Sequence, residues 1–164
     1  MNVKETTMKR TTIAKTFAIT VATALALGIA PKAKADGRGC SNATLQGTFA
    51  YTSTGFNTAA SPAGAGTFAE VGTQTFDGKG GAPSGAATIS HNGTIYLGVS
   101  INGTYTVNSN CTGTLMLQAA LPGVGVVPFE RFFVIDGIGT EFQAIELGVG
   151  TVITSIYRRI LLLP

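Results

Sequence analysis

One histidine, two cysteines and a few carboxylates are the side chains of this sequence that could do chemistry, and their spacing supports little of it. A zinc or copper site takes three or four nitrogen and sulfur ligands. His91, Cys40 and Cys111 cannot supply them if the cysteines are bonded to each other, so we expect neither a metal nor a cofactor. Calcium needs a cage of oxygens, for which Asp77 and the carbonyls of its glycine loop are a thin beginning. No G-x-S-x-G nucleophile elbow is present, and His91 adjoins the turn pair Asn92-Gly93, where a solvated histidine is a simpler reading than a general base. Glu130, Glu141 and Glu146 could form a carboxylate pair of the glycosidase kind, but glutamates on strands more often face water. Gly78-Lys79-Gly80-Gly81 is glycine-rich, yet no helix follows to complete a phosphate cradle. We therefore assign no catalytic residue. Arg158 and Arg159 are the most informative polar pair. Neighbouring strand residues face opposite sides, so one arginine should point inward and needs a partner, for which Glu130, Glu141 and Glu146 are candidates. The alternative is that Arg158 anchors a ligand carboxylate.

The first 35 residues set the compartment. Lys4, Lys9, Arg10 and Lys15 precede an uncharged apolar run of 14 residues ending at Ala30, and Ala33 and Ala35 occupy the positions of an A-x-A cleavage site. This is the layout of a secretory signal peptide, and the run is short of the ~20 residues that cross a bilayer. We expect cleavage after Ala35, a mature domain of residues 36–164, a secreted or periplasmic location, and no membrane span after cleavage. The whole chain carries a net charge of +3. Beyond residue 35, however, only Arg38, Lys79, Arg131, Arg158 and Arg159 stand against seven acidic residues. No basic stripe remains to neutralise phosphates, which excludes nucleic acid as a partner. In an exported chain an even cysteine pair reads as a disulfide, so Cys40 should be bonded to Cys111. The sequons at Asn42, Asn92, Asn102 and Asn110 read better as turns than as glycan acceptors.

The elements that would position these residues are strands. Apolar and polar residues alternate in short runs separated by glycine, and Gly-Thr occurs eight times. Glycine supplies the turn and threonine suits the strand that leaves it. Hairpin turns are expected at Asp77-Gly78, Asn92-Gly93, Asn102-Gly103 and Asp136-Gly137. The strands between them fall at about 45–54, 66–76, 86–90, 94–101, 104–109, 113–118, 127–135, 140–147 and 151–161. The fourth and fifth merge into one if Gly103 marks a bulge, leaving eight. An antiparallel meander of eight strands closes most simply into an up-and-down barrel. A β-sandwich is the alternative.

The runs Cys40-Ser41-Asn42-Ala43-Thr44-Leu45, Phe76-Asp77-Gly78-Lys79-Gly80, Gly103-Thr104-Tyr105-Thr106-Val107, Cys111-Thr112-Gly113-Thr114 and Gly150-Thr151-Val152 resemble, in this order, those of small exported bacterial β-barrel proteins of uncharacterised function. These are turn-and-strand motifs, so the resemblance implies a fold and carries no chemistry. The layout is also similar to lipocalin-like and allene-oxide-cyclase-like barrels, although no functional residue of either family has a counterpart here.

Two functions fit such a chain. One is a non-enzymatic barrel binding a small apolar ligand, with Phe49, Phe129, Phe132, Phe133 and Phe142 as apolar lining and Tyr51 and Tyr105 orienting a polar group. Tyr51, Tyr105, Phe133 and Arg158 are its candidate ligand residues. The other is an extracellular structural or surface-associated protein acting through its outer faces. A barrel-type cyclase or isomerase is a third class to which no residue points.

Overall fold

A computed structural model describes residues 39–136 and 138–160. The expected signal peptide at 1–35, Gly137 and the apolar tail at 161–164 lie outside the described residues. A single turn of 3-10 helix, Asn42–Leu45, leads into β1 (Gly47–Asn57), β2 (Gly66–Phe76), β3 (Gly81–His91), β4 (Thr94–Val107), β5 (Thr112–Leu121), β6 (Gly125–Ile135), β7 (Glu141–Glu146) and β8 (Thr151–Arg159). Each strand pairs antiparallel with the next, and β8 returns to β1, closing a barrel. The barrel, not the sandwich, is the fold. Closure leaves no full-length edge strand exposed to other chains.

Strand alternation sorts the residues. Phe49, Tyr51 and Ser53 of β1 are buried and the residues between them exposed, as a period of two requires. The nine expected segments become eight strands because 94–101 and 104–109 are one. Asn102-Gly103 is therefore not a hairpin but lies inside β4, opposite Gln118 and Leu117 of β5. A Cβ at Gly103 would strike the Met116 carbonyl oxygen and stand 2.9 Å from the Leu117 Cα. Glycine here lets the strand bend where the barrel coils. At Asn92-Gly93 the expected tight turn is present. Both residues take positive φ, 46° and 83°, as a type I′ turn demands. At Asp77 a longer loop forms, because the carboxylate Oδ1 accepts from the backbone N–H groups of Lys79, Gly80 and Gly81 at 2.7, 3.0 and 2.8 Å.

Up-and-down order puts the connections after β1, β3, β5 and β7 at one end, called the upper end here, and those after β2, β4 and β6 at the lower. The lower half is a closed aromatic core. Phe76 meets Phe49 and Tyr105 edge-on, with ring centroids 5.5 and 5.1 Å apart, and Phe142 stacks on Tyr157 at 4.2 Å. Each such ring stabilises the fold by about 1.5–3 kcal/mol through burial. The segment before β1 plugs this end: Leu45 is fully buried, and the Tyr105 hydroxyl donates to the Asn42 carbonyl at 2.9 Å. A Cys40–Cys111 disulfide, spanning 71 residues, ties the plug to the β4–β5 turn. Such a bond is compatible with an oxidising extracellular or periplasmic location.

Candidate functional site

Above the aromatic core the interior carries a polar layer. Glu70 of β2 and Arg131 of β6 point inward because their strands alternate so: Glu70 shares its face with Phe68 and Gln74, and Arg131 with Phe129 and Phe133. The Glu70 carboxylate accepts from the Tyr51 hydroxyl at 2.7 Å, the Ser53 hydroxyl at 3.0 Å and Arg131 Nη2 at 2.9 Å. Arg131 Nη1 donates to the Tyr157 hydroxyl at 2.6 Å, and Ser155 donates to Ser53 at 2.9 Å. The guanidinium also lies 4.8 Å from the centre of the Phe129 ring, within cation–π range. Both side chains are almost wholly buried.

Glu146, at the end of β7, is the third charge of the layer, 3.9 Å from Arg131 Nη2. Burial pushes its carboxyl above the usual range, an effect that Arg131 offsets in part and Glu70 reinforces. Burial, then Glu70, raises the Tyr51 phenol, and burial raises that of Tyr157 despite the nearby Arg131. Burial works against the Arg131 charge, but its interactions with Tyr157 and Glu70 together outweigh that, and the guanidinium stays protonated. The chemistry that results is electrostatic. A carboxylate whose oxygens are already taken by three donors leaves little room for a substrate proton, and phenols held protonated are poor nucleophiles. Among the described residues no three metal-ligating side chains cluster.

The sequence-derived candidates do not converge on one site. Tyr51 belongs to the polar layer. Phe133 lies in the core below it, 5.2 Å from Phe142, and Tyr105 sits at the lower plug. Phe132, included in the expected lining, faces outward. Arg158 is on the outer wall, with Nε 2.8 Å from the Glu141 carboxylate. Its neighbour Arg159 is the inward one, yet its partners are carbonyls: Gln46, Thr44 at 2.8 Å and Gly139 at 2.8 Å. Glu70, Arg131 and Tyr157 were missed. The run Phe129-Glu130-Arg131-Phe132-Phe133 held a signal, since an inward Phe129 and Phe133 force Arg131 inward.

The upper interior is less tightly closed. Phe68, Tyr96, Leu121 and Phe129 are only partly buried against the core. Asn57 is buried; its Nδ2 lies 3.2 Å from His91 Nε2, and its Oδ1 has no partner. Strand register puts Asn57 two residues above the Gly55–Phe68 pair, and Phe68 opposite His91. Arg131 Nε, beneath Phe129, is likewise unpartnered. A separate groove of about 800 Å³ runs over the outer wall, lined by Asn102, Met116, Gln118, Pro128, Glu130 and Leu147.

No family model, curated protein or solved structure matches the chain. Fold and site define it by class: a small closed antiparallel β-barrel with a buried ion pair across its interior.

Proposed function

We propose that the domain is an exported, non-enzymatic, lipocalin-like binding barrel for a small, mainly apolar molecule with one polar group. The ligand is held in the upper half of the interior. The observation that carries this reading is the contrast along the axis. The lower interior is sealed by stacked aromatics, whereas Phe68, Tyr96 and Phe129 above it remain partly exposed and Asn57 Oδ1, buried at the upper end of β1, has no partner. Apolar lining with a few placed polar atoms is the usual make-up of a small-molecule site, and an unpaired buried carbonyl favours a ligand that donates a hydrogen bond. Tyr51 and Arg131 form the floor of this half, while Tyr105 and Phe133 support it from below.

Displacement of a fluorescent fatty-acid probe by fatty alcohols, terpenoids and pigments tests the reading. Phe129→Ala and Asn57→Leu should each weaken binding at least tenfold, with Arg158→Ala unchanged. Absence of any displacement would leave the second reading, an extracellular structural protein, which the sealed aromatic half also suits.

A further inference from the structure

Charge on this barrel is segregated along its axis. Asp77, Lys79, Asp136, Glu141, Arg158 and Arg159 all lie at or near the lower end, Glu70 and Arg131 are buried, Glu146 at the top of β7 turns inward to Arg131, and Glu130 is exposed midway along the wall. From residue 80 to residue 129 the chain contains no Asp, Glu, Lys or Arg, and neither do the upper connections at 58–65 and 147–150. Turn tips in water normally carry polar residues. Here three upper hairpins carry apolar ones: Ile95 and Leu97 on β4, Val124 and Val126 at the β5–β6 turn, Leu147 and Val149 at the β7–β8 turn. Their exposure runs from 50% at Leu147 to 75% at Val149. The strand bearing Ile95 and Leu97 projects beyond its ladder with β5, which begins at Ser100. Ile138, at a lower turn, is more exposed still, at 80%, but it stands close to Asp136 rather than on an uncharged rim.

The geometry points to the upper rim as a docking surface for a neutral lipid bilayer, with Val124, Val149, Ile95 and Leu97 entering the headgroup–acyl boundary. Burying such side chains is favourable wherever water is removed from them. One observation chooses lipid over a second protein surface. The apolar groups stand on three separate hairpins, two of them at glycine-flanked tips, and a fluid medium fills the space between such projections. A protein partner would need sockets matched to each, within an interface of roughly 1,200 Å² or more. The absence of charge also removes any attraction for anionic headgroups, so binding should not depend on anionic lipid or on salt. Docking of the rim does not depend on whether the interior holds a ligand.

The chain has no tryptophan, so a single introduced one reports its own surroundings. Val149→Trp, in protein recovered after export, should shift to shorter emission wavelength with phosphatidylcholine vesicles and be quenched by brominated acyl chains. Ile138→Trp should do neither. In co-sedimentation, Val124→Asp with Val149→Asp should reduce vesicle binding at least tenfold, Ile138→Asp should leave it unchanged, and high salt should not release the protein. No shift of Val149→Trp, or equal binding by the double variant, would overturn the proposal. So would binding that requires anionic lipid, or an oligomer in lipid-free solution that the double variant disperses, which would make the rim a contact between copies.

Discussion

Arg131 and Glu70 face one another across the barrel axis, Nη2 to Oε2 at 2.9 Å, from strands four apart in an eight-stranded closure. The pair is held by its neighbours as much as by itself, since Tyr51 and Ser53 donate to the carboxylate and Tyr157 accepts from Nη1, leaving Nε of the guanidinium without a partner. Breaking a buried pair strands one charge, whereas replacing both members removes the problem. Glu70→Leu and Arg131→Met should each cost about 3–5 kcal/mol, and the double variant should recover most of the loss. Urea unfolding of the four proteins measures the coupling; a double variant as unstable as the sum would refute it.

Cys111→Ser should lower stability by about 4 kcal/mol in the chain-entropy account of a long closed loop. The aromatic core does not rest on the bond, so the fold should persist. Circular dichroism should show unchanged strand content alongside a lower urea midpoint.

Carboxylates shifted in opposite directions should bend the pH dependence of stability in opposite ways. Backbone N–H groups of Lys79 and Gly81 hold Asp77 below the usual carboxylate range. Asp136 is lowered too, since hydrogen bonds from Glu141 and Thr140 outweigh its desolvation. Their contribution is present above the ordinary carboxylate pKa and is lost as pH falls through the depressed values. Asp77→Ala and Asp136→Ala should therefore unfold at lower temperature near neutrality and lose less on acidification. Glu146 has the opposite sign: raised by burial, it favours the fold while protonated and ceases to as pH climbs through its elevated pKa. Glu146→Gln should flatten that decline in melting temperature measured against pH.

The adjacent arginines should part company on substitution. Arg159 donates to carbonyls of the plug and of the β6–β7 turn and covers the Phe49 ring at 4.8 Å. A lysine cannot reproduce that fork, so Arg159→Lys should cost roughly 1–3 kcal/mol. Arg158 makes an exposed pair with Glu141, and Arg158→Ala should fall within about 0.5 kcal/mol of the parent. Thermal or urea unfolding of the two variants decides it.

What could be read from the sequence was local or set by parity. Asn92-Gly93 announces a tight turn because positive φ at two successive positions is a property of the residues themselves. Alternation along β1 separates Phe49 and Tyr51 from the outer wall without reference to any other strand. Oppositely facing arginines at 158 and 159 follow from the pleat alone, and the even cysteine pair suggests its own bond, which the structure shows. The tertiary structure decided everything that depends on which strands stand opposite. Glu70 and Arg131 are 61 residues apart, and their meeting rests on the register of the four ladders that separate β2 from β6 on each side, one of them the closure of β8 against β1. Closure likewise put Arg159 over the plug, where carbonyls rather than a glutamate satisfy it, and left Glu141 to Arg158 outside. It also gathered the uncharged hairpin tips at one end. A strand's own residues specify its faces; only the closed barrel specifies its neighbours.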